Sequence, residues 1–244
     1  MNQSLRSLFA AILAVFLPLT SAWAATTIPF TNDYGALDKK QWTIAHGWAN
    51  GEHQSCEWRK SGIAIKDKRL IMTLSDQSGL KHAYGCGEIQ SRTRYGYGYY
   101  EVSMRSAAGS GINSNFFTYI GPPHGEPAHD EIDFEFLGKD PRTVQLNYYV
   151  NGKGDHEKII ALGFDASEDF HRYAFDWRPD SITWYIDGVQ VHQTAPHAEI
   201  PSHPSKIFFS VWSGASSVND WLGPFSYTKP VAAEVEWVKF TPHN

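Results

Sequence analysis

Three acids stand at every second position in the run Glu131-Ile132-Asp133-Phe134-Glu135. In an extended strand successive side chains point to opposite faces, so Glu131, Asp133 and Glu135 share one face while Ile132, Phe134 and Phe136 share the other. The apolar face belongs in a core, and a one-residue slip would exchange it with the acids, so the register is pinned. Aligning three like charges costs repulsion and gains the fold nothing obvious. Acids on strands also serve as calcium ligands or as a solvated face, but paired carboxyls are the chemistry of glycosidic cleavage. In the retaining form of that reaction the two groups stand roughly 5–5.5 Å apart. Glu131 and Glu135 are roughly 13 Å apart along an ideal strand at ~3.3 Å per residue, yet long side chains on a curved sheet converge. Aromatic residues make up 14% of the chain, enough to build a core and still leave rings for the apolar faces of sugars.

Such a strand needs neighbours on both sides. Period-2 stretches bounded by Gly, Pro, Asp or Asn recur at Leu70 to Leu74, Tyr97 to Met104, Thr143 to Val150, His171 to Trp177 and Ile207 to Trp212. Between two β-rich runs, Asp187-Gly188 calls for a tight hairpin with positive φ at the turn. No comparable stretch has helical periodicity; the exception is a single turn near Asp38 to Gln41, which Asp38 can cap. The fold class is therefore all-β, with antiparallel strands in two sheets packed as a sandwich or jelly roll. Residues 25–244 read as one domain without a linker or repeat, and Pro201 to Pro204 as a connection between strands.

Arg6 precedes an apolar run from Leu8 to Leu19 that ends in Ala22-Trp23-Ala24, the pattern of a signal peptide over residues 1–24 with cleavage near Ala24. A secreted product, extracellular or periplasmic, is the expectation. A net charge of −5 without a Lys/Arg cluster argues against nucleic acid and membrane partners, and a cleft for a long polymer suits a monomer. Cys56 and Cys86 form one intramolecular bridge in an oxidising compartment, two buried free thiols being the alternative.

The run Asp130-Glu131-Ile132-Asp133-Phe134-Glu135-Phe136-Leu137-Gly138 resembles the signature of glycoside hydrolase family 16, in its lichenase branch. The likeness extends through Cys56-Glu57-Trp58-Arg59, Cys86-Gly87-Glu88, Tyr95-Gly96-Tyr97-Gly98, Gln145-Leu146-Asn147-Tyr148-Tyr149 and Asp220-Trp221-Leu222-Gly223, covering about Trp42 to Thr241. It implies a concanavalin-like β-jelly-roll with a concave substrate cleft and hydrolysis of β-1,3-1,4-glucan with retention. It also implies Glu131 as nucleophile, Glu135 as acid/base and Asp133 assisting between them. Asn50, Glu88, Tyr119, Asn147, Tyr149, Trp212 and Trp221 are implied as sugar-contacting residues, and the family's disulfide matches Cys56 and Cys86.

Three positions depart from lichenases. His129 replaces a Trp before the acid motif, Gln90 an Arg, and Ser213 an Asn after Trp212. His129 is expected to take the Trp's place among the sugar contacts. Together these changes leave the catalytic reading in place but weaken the substrate assignment, keeping open a bacterial acidic exopolysaccharide such as succinoglycan. A lectin on the same sandwich is a separate alternative, since fold alone does not establish catalysis, and the three retained carboxylates argue against it. No catalytic cofactor is expected. A structural calcium is common in the family, and Glu236 stands where its Asp ligand usually lies. His156-Glu157 lacks a second His four residues on and is not a zinc motif.

Overall fold

A computed structural model describes residues 25–77, 81–121 and 128–243; the expected signal peptide, residues 1–24, lies outside them. Sixteen strands run through these residues. The first half holds β1 (Phe30–Asn32), β2 (Trp42–Ile44), β3 (Cys56–Trp58), β4 (Ile63–Lys66), β5 (Arg69–Asp76), β6 (Tyr84–Ser91), β7 (Gly98–Arg105) and β8 (Ile112–Tyr119). The second holds β9 (Glu131–Leu137), β10 (Thr143–Tyr149), β11 (Lys158–Ala161), β12 (His171–Trp177), β13 (Ile182–Ile186), β14 (Val189–Gln193), β15 (Lys206–Ser213) and β16 (Val231–Pro242).

The strands form the expected jelly-roll sandwich. One sheet runs β2-β6-β15-β8-β9-β10-β11, and the other runs β4-β5-β16-β7-β12-β13-β14 with β1 on β16. They join where β5 pairs with β6 at Ser75 with Gly85 and Asp76 with Tyr84. Strand β9 is antiparallel to β8 and β10, so its ladder is satisfied on both sides and its register is fixed twice. Its apolar face enters the core. Ile132, Phe134 and Phe136 are buried, and Phe134 and Phe136 meet Tyr173 of the opposite sheet at ring-centroid distances of 5.6 and 4.7 Å. Beside them Phe116 of β8 stacks on Phe175 of β12 at 5.4 Å. Burying each such ring stabilises the fold by about 1.5–3 kcal/mol, which holds the acid face outward.

The five expected stretches lie in β5, β7, β10, β12 and β15 with ends shifted by two residues at most or, for β12, not at all. Asp187 and Gly188 turn the β13-β14 hairpin with φ of 50° and 83°, the positive pair a two-residue turn needs. Asp38 Oδ1 accepts the Lys40 amide at 2.8 Å in its turn. The sequence pattern missed a 3-10 turn, Ser216–Val218, running into a single helical turn α1 (Asn219–Leu222), because four residues are too few to display a 3.6-residue period. The bridge between Cys56 and Cys86 is formed, with Cα atoms 5.9 Å apart, and it ties β3 to β6, where the two run parallel.

Candidate active site

Strand register builds the cleft floor in rows. Lys206, Tyr119, Glu131 and Tyr149 lie across β15, β8, β9 and β10. The next row is Gln90, Phe208, Phe117, Asp133 and Asn147, and the third is Glu88, Ser210, Asn115, Glu135 and Gln145. Because side chains alternate, all of these point away from the core, and they line a cleft of about 970 Å³. Trp48, His53, Trp212 and Trp221 wall it, the first from the loop between β2 and β3 and the last from α1.

The acids are held differently from one another. Glu135 accepts Gln145 Nε2 at 2.7 Å and Asn113 Nδ2 at 3.3 Å. Its carboxyl is nevertheless pushed up to about 8, by burial first and then by the Glu131 charge, against the lowering effect of those two hydrogen bonds. Asp133, 3% exposed, is raised well above the usual carboxylate range by burial, by the charges of Glu131 and Glu135 and by its hydrogen bond with Glu131. A neutral Asp133 donates to Glu131, since an ionised carboxylate only accepts. Glu131 Oε2 also lies 2.6 Å from His129 Nε2. The site therefore sets Glu131, reached by His129 and Asp133, beside a Glu135 carboxyl that burial raises to about 8, an inequality suited to acid and nucleophile roles.

Glu88 is buried and raised to about 8 by that burial, and its Oε1 has no hydrogen-bond partner among the described residues. A buried polar atom opening on a cleft is a ready contact for a ligand hydroxyl. Asn147 Nδ2 meets Glu157 Oε1 at 3.4 Å. Asn50 stands at the cleft edge, where its Oδ1 accepts Trp58 Nε1 at 3.1 Å and its amide donates to Gln54 Oε1 at 3.0 Å. Trp212 and Trp221 sit 6.0 Å apart between centroids, and Trp221 Nε1 donates to Gln145 Oε1 at 3.1 Å. Gln145 thus links a cleft-wall aromatic to Glu135. Sequence reading passed over Gln145 and Asn113, although register offers the signal for Gln145, which precedes Asn147 by two positions and so shares its face. Trp48, His53, Glu157 and Lys206 were also passed over; the first three lie outside the strands, where alternation says nothing.

The three departures fall in different places. Gln90 lies on the floor, its Oε1 accepting Lys206 Nζ at 2.8 Å. Ser213 is buried off the cleft, its Oγ 2.8 Å from Ser55 Oγ. His129 is 1% exposed and stands outside the cleft lining, against Glu131 instead of in a sugar-contacting position. Glu236 is the extra residue of a bulge in β16, with Arg69 at 3.6 Å and Ser103 Oγ donating to it at 2.8 Å. Its carboxylate is engaged by that cation and hydroxyl, and a structural calcium stays unassigned. No group of three His, Cys, Asp or Glu among the described residues is arranged to hold a metal, and none of the described helices is long and apolar enough to cross a membrane.

Residues 50–239 match the model of glycosyl hydrolases family 16. The chain belongs to that family. It is 46% identical over 231 residues to a beta-glucanase of Paenibacillus polymyxa, covering 94% of this chain and 93% of that one. It is 44% identical to the endo-1,3-1,4-beta-glycanase ExoK of Rhizobium meliloti, covering 87% and 78%. Among solved structures, a beta-1,3-1,4-glucanase (lichenase) from a mouse hindgut metagenome superposes with a TM-score of 0.83 at 44% identity, over 88% of this chain and 99% of that one. The chain is accordingly a family 16 glycosidase of the lichenase-like type, and glycosidases of this kind need no catalytic cofactor.

Proposed function

We propose that this glycosidase is an exported endo-β-1,3-1,4-glucanase working by retaining double displacement on a polysaccharide laid along the cleft. The observation that carries the reading is the unequal state of the two glutamates on one face of β9. Glu135 keeps its proton up to about pH 8, while Glu131 receives hydrogen bonds from His129 and Asp133. Glu131 attacks the anomeric carbon as Glu135 gives its proton to the departing glycosidic oxygen, leaving a glycosyl ester on Glu131. Glu135, now a carboxylate, takes a proton from water, whose oxygen attacks the same carbon and frees Glu131. Each attack inverts the centre, so configuration is retained. Trp48, Trp212 and Trp221 supply rings for sugar faces, and Asn147 and Glu88 supply polar contacts.

A second reading, depolymerisation of an acidic exopolysaccharide by the same mechanism, draws on Lys206. It is half-buried on the floor two strands from Glu131, and burial followed by the charges of Arg94 and Arg92 lowers its pKa. A cation at that point suits an anionic substituent on the glycan. The similarity to the Rhizobium meliloti glycanase agrees with it.

Reducing-sugar release from barley β-glucan, lichenan, laminarin and succinoglycan separates the readings. Cleavage of the first two is expected. Cleavage of succinoglycan alone would move the assignment to the second reading, and binding without turnover on every glycan would leave a lectin. Secretion of the full chain with a new N-terminus after Ala24 checks the export expectation.

A further inference from the structure

We infer that His129 is a positioning residue for the nucleophile, fixing the Glu131 carboxylate for attack on the anomeric carbon; the inference rests on the assignment of Glu131 above. The Nε2 atom of His129 lies 2.6 Å from Glu131 Oε2. A carboxylate offers only lone pairs, so Nε2 carries the hydrogen and donates it. The ring cannot swing away. It stacks on Tyr149 with centroids 4.8 Å apart and planes at 11°, and it meets the edge of Tyr119 at 4.8 Å and 75°.

The backbone beneath it is anchored as firmly. Gly152 donates its amide to the His129 carbonyl at 2.8 Å. The carboxylate of buried Asp130 gathers the amides of Asn151 at 2.9 Å, Ser202 at 2.6 Å and His203 at 2.9 Å, and the His203 ring at 2.9 Å. These bonds pin two loops to the entrance of β9. His129 and Glu131 are two residues apart in extended chain, which puts both side chains on one face. The arrangement gives Glu131 an imidazole N–H on Oε2 in addition to its hydrogen bond with Asp133. Freezing the carboxylate rotamer before substrate arrives lowers the cost of reaching the attack geometry and leaves glycan affinity untouched, because His129 lies outside the cleft lining.

The test is His129→Phe, which keeps a flat ring between Tyr119 and Tyr149 and deletes the donor. On barley β-glucan the expected result is a fall in kcat of about 10- to 100-fold with KM within about twofold, the scale of losing a hydrogen bond to a charged group. The loss should persist in kcat/KM on a dinitrophenyl β-oligoglucoside, whose departing group needs no acid. The kcat/KM defect of Glu135→Gln, which reports the first step, should largely vanish on that substrate while its kcat stays low for want of the base in the second step. His129→Gln, which returns an N–H near the Nε2 position, should recover a substantial part of kcat. Wild-type kcat in His129→Phe, or a rise in KM with kcat unchanged, would overturn the inference. So would His129→Gln being as impaired as His129→Phe while both melt like wild type. Should His129→Phe fail to fold, His129→Met, which fills the space without a donor, takes its place on the two substrates: wild-type KM with a kcat loss common to both supports positioning, and wild-type kcat or a loss confined to the polymer overturns it. Glu131→Gln is run alongside. If it retains activity, the nucleophile assignment has failed, and with it the basis of this inference; if it is inactive, the His129 result stands by itself.

Discussion

The two faces of β9 are built from neighbouring residues of one strand and obey opposite rules. On the inner face Ile132, Phe134 and Phe136 are buried among rings of the second sheet, and each side chain is content with dispersion and exclusion of water. On the outer face Glu131, Asp133 and Glu135 crowd like charges into a cleft where burial raises two of them above the carboxylate range. The inner face contributes the stability that the outer face spends. The contrast shows how a seven-residue strand can hold a strained acid cluster in register, since slipping it by one position would bury three carboxyls and expose three large apolar groups.

Substitutions on the two faces should therefore separate activity from stability. Glu131→Gln is expected to lower kcat on β-glucan by about 10³-fold or more with the melting temperature at or above wild type, as loss of the attacking atom removes the covalent step and one repulsive charge. Equal activity in the variant would remove Glu131 from the chemistry. Phe134→Ala should do the reverse, costing about 3–5 kcal/mol in denaturant unfolding while the remaining folded protein keeps near-normal kcat. Opening the Cys56–Cys86 bridge by paired Ser substitutions should cost at most about 3–4 kcal/mol, from the loop entropy of 30 residues. A rise in KM should accompany it, because Asn50 and Trp48 hang on the loop that leads to β3.

Smaller but sharper effects should appear in pH profiles. Glu135 must be protonated for the first step, so kcat/KM should fall as pH rises through about 8. Gln145→Leu deletes a hydrogen bond that lowers the Glu135 pKa, so the alkaline limb should move upward; a downward move would contradict the assigned role of Gln145. The same shift acts on stability. The folded-state values of Glu135 and Glu88 lie above the unfolded value near 4.5, so the folded protein binds more protons between those limits. Their contribution is fully present below about pH 4.5 and is lost as pH climbs through about 8, which urea unfolding across that range would reveal.

Much of the fold was legible because alternation is a local signal. The acid strand, the β12 bounds and the Asp187-Gly188 hairpin each follow from residues within a few positions of one another. The acid motif pointed to a glycosidase for the same reason, and the family match agrees. What stayed hidden depends on contacts between distant parts of the chain. Trp221 reaches Gln145 across 76 positions, and α1, which carries it, is too short to announce itself. His129 was legible as a departure from lichenases, but its role was not. The stacking of Tyr149 and the edge of Tyr119 beside it hold the ring against Glu131, contacts made by residues of β8 and β10.

The division of labour on the outer face is tested most directly by azide rescue of Glu131→Ala and Glu135→Ala with a dinitrophenyl β-oligoglucoside, reading the anomer of the glycosyl azide by NMR. With Glu131 gone, azide enters the vacated space and displaces the aryl group once, so an α-glycosyl azide is predicted. With Glu135 gone, azide attacks the glycosyl-enzyme ester, so the β anomer is predicted. A β-glycosyl azide from Glu131→Ala together with an α product from Glu135→Ala would reverse the assignment and contradict the account.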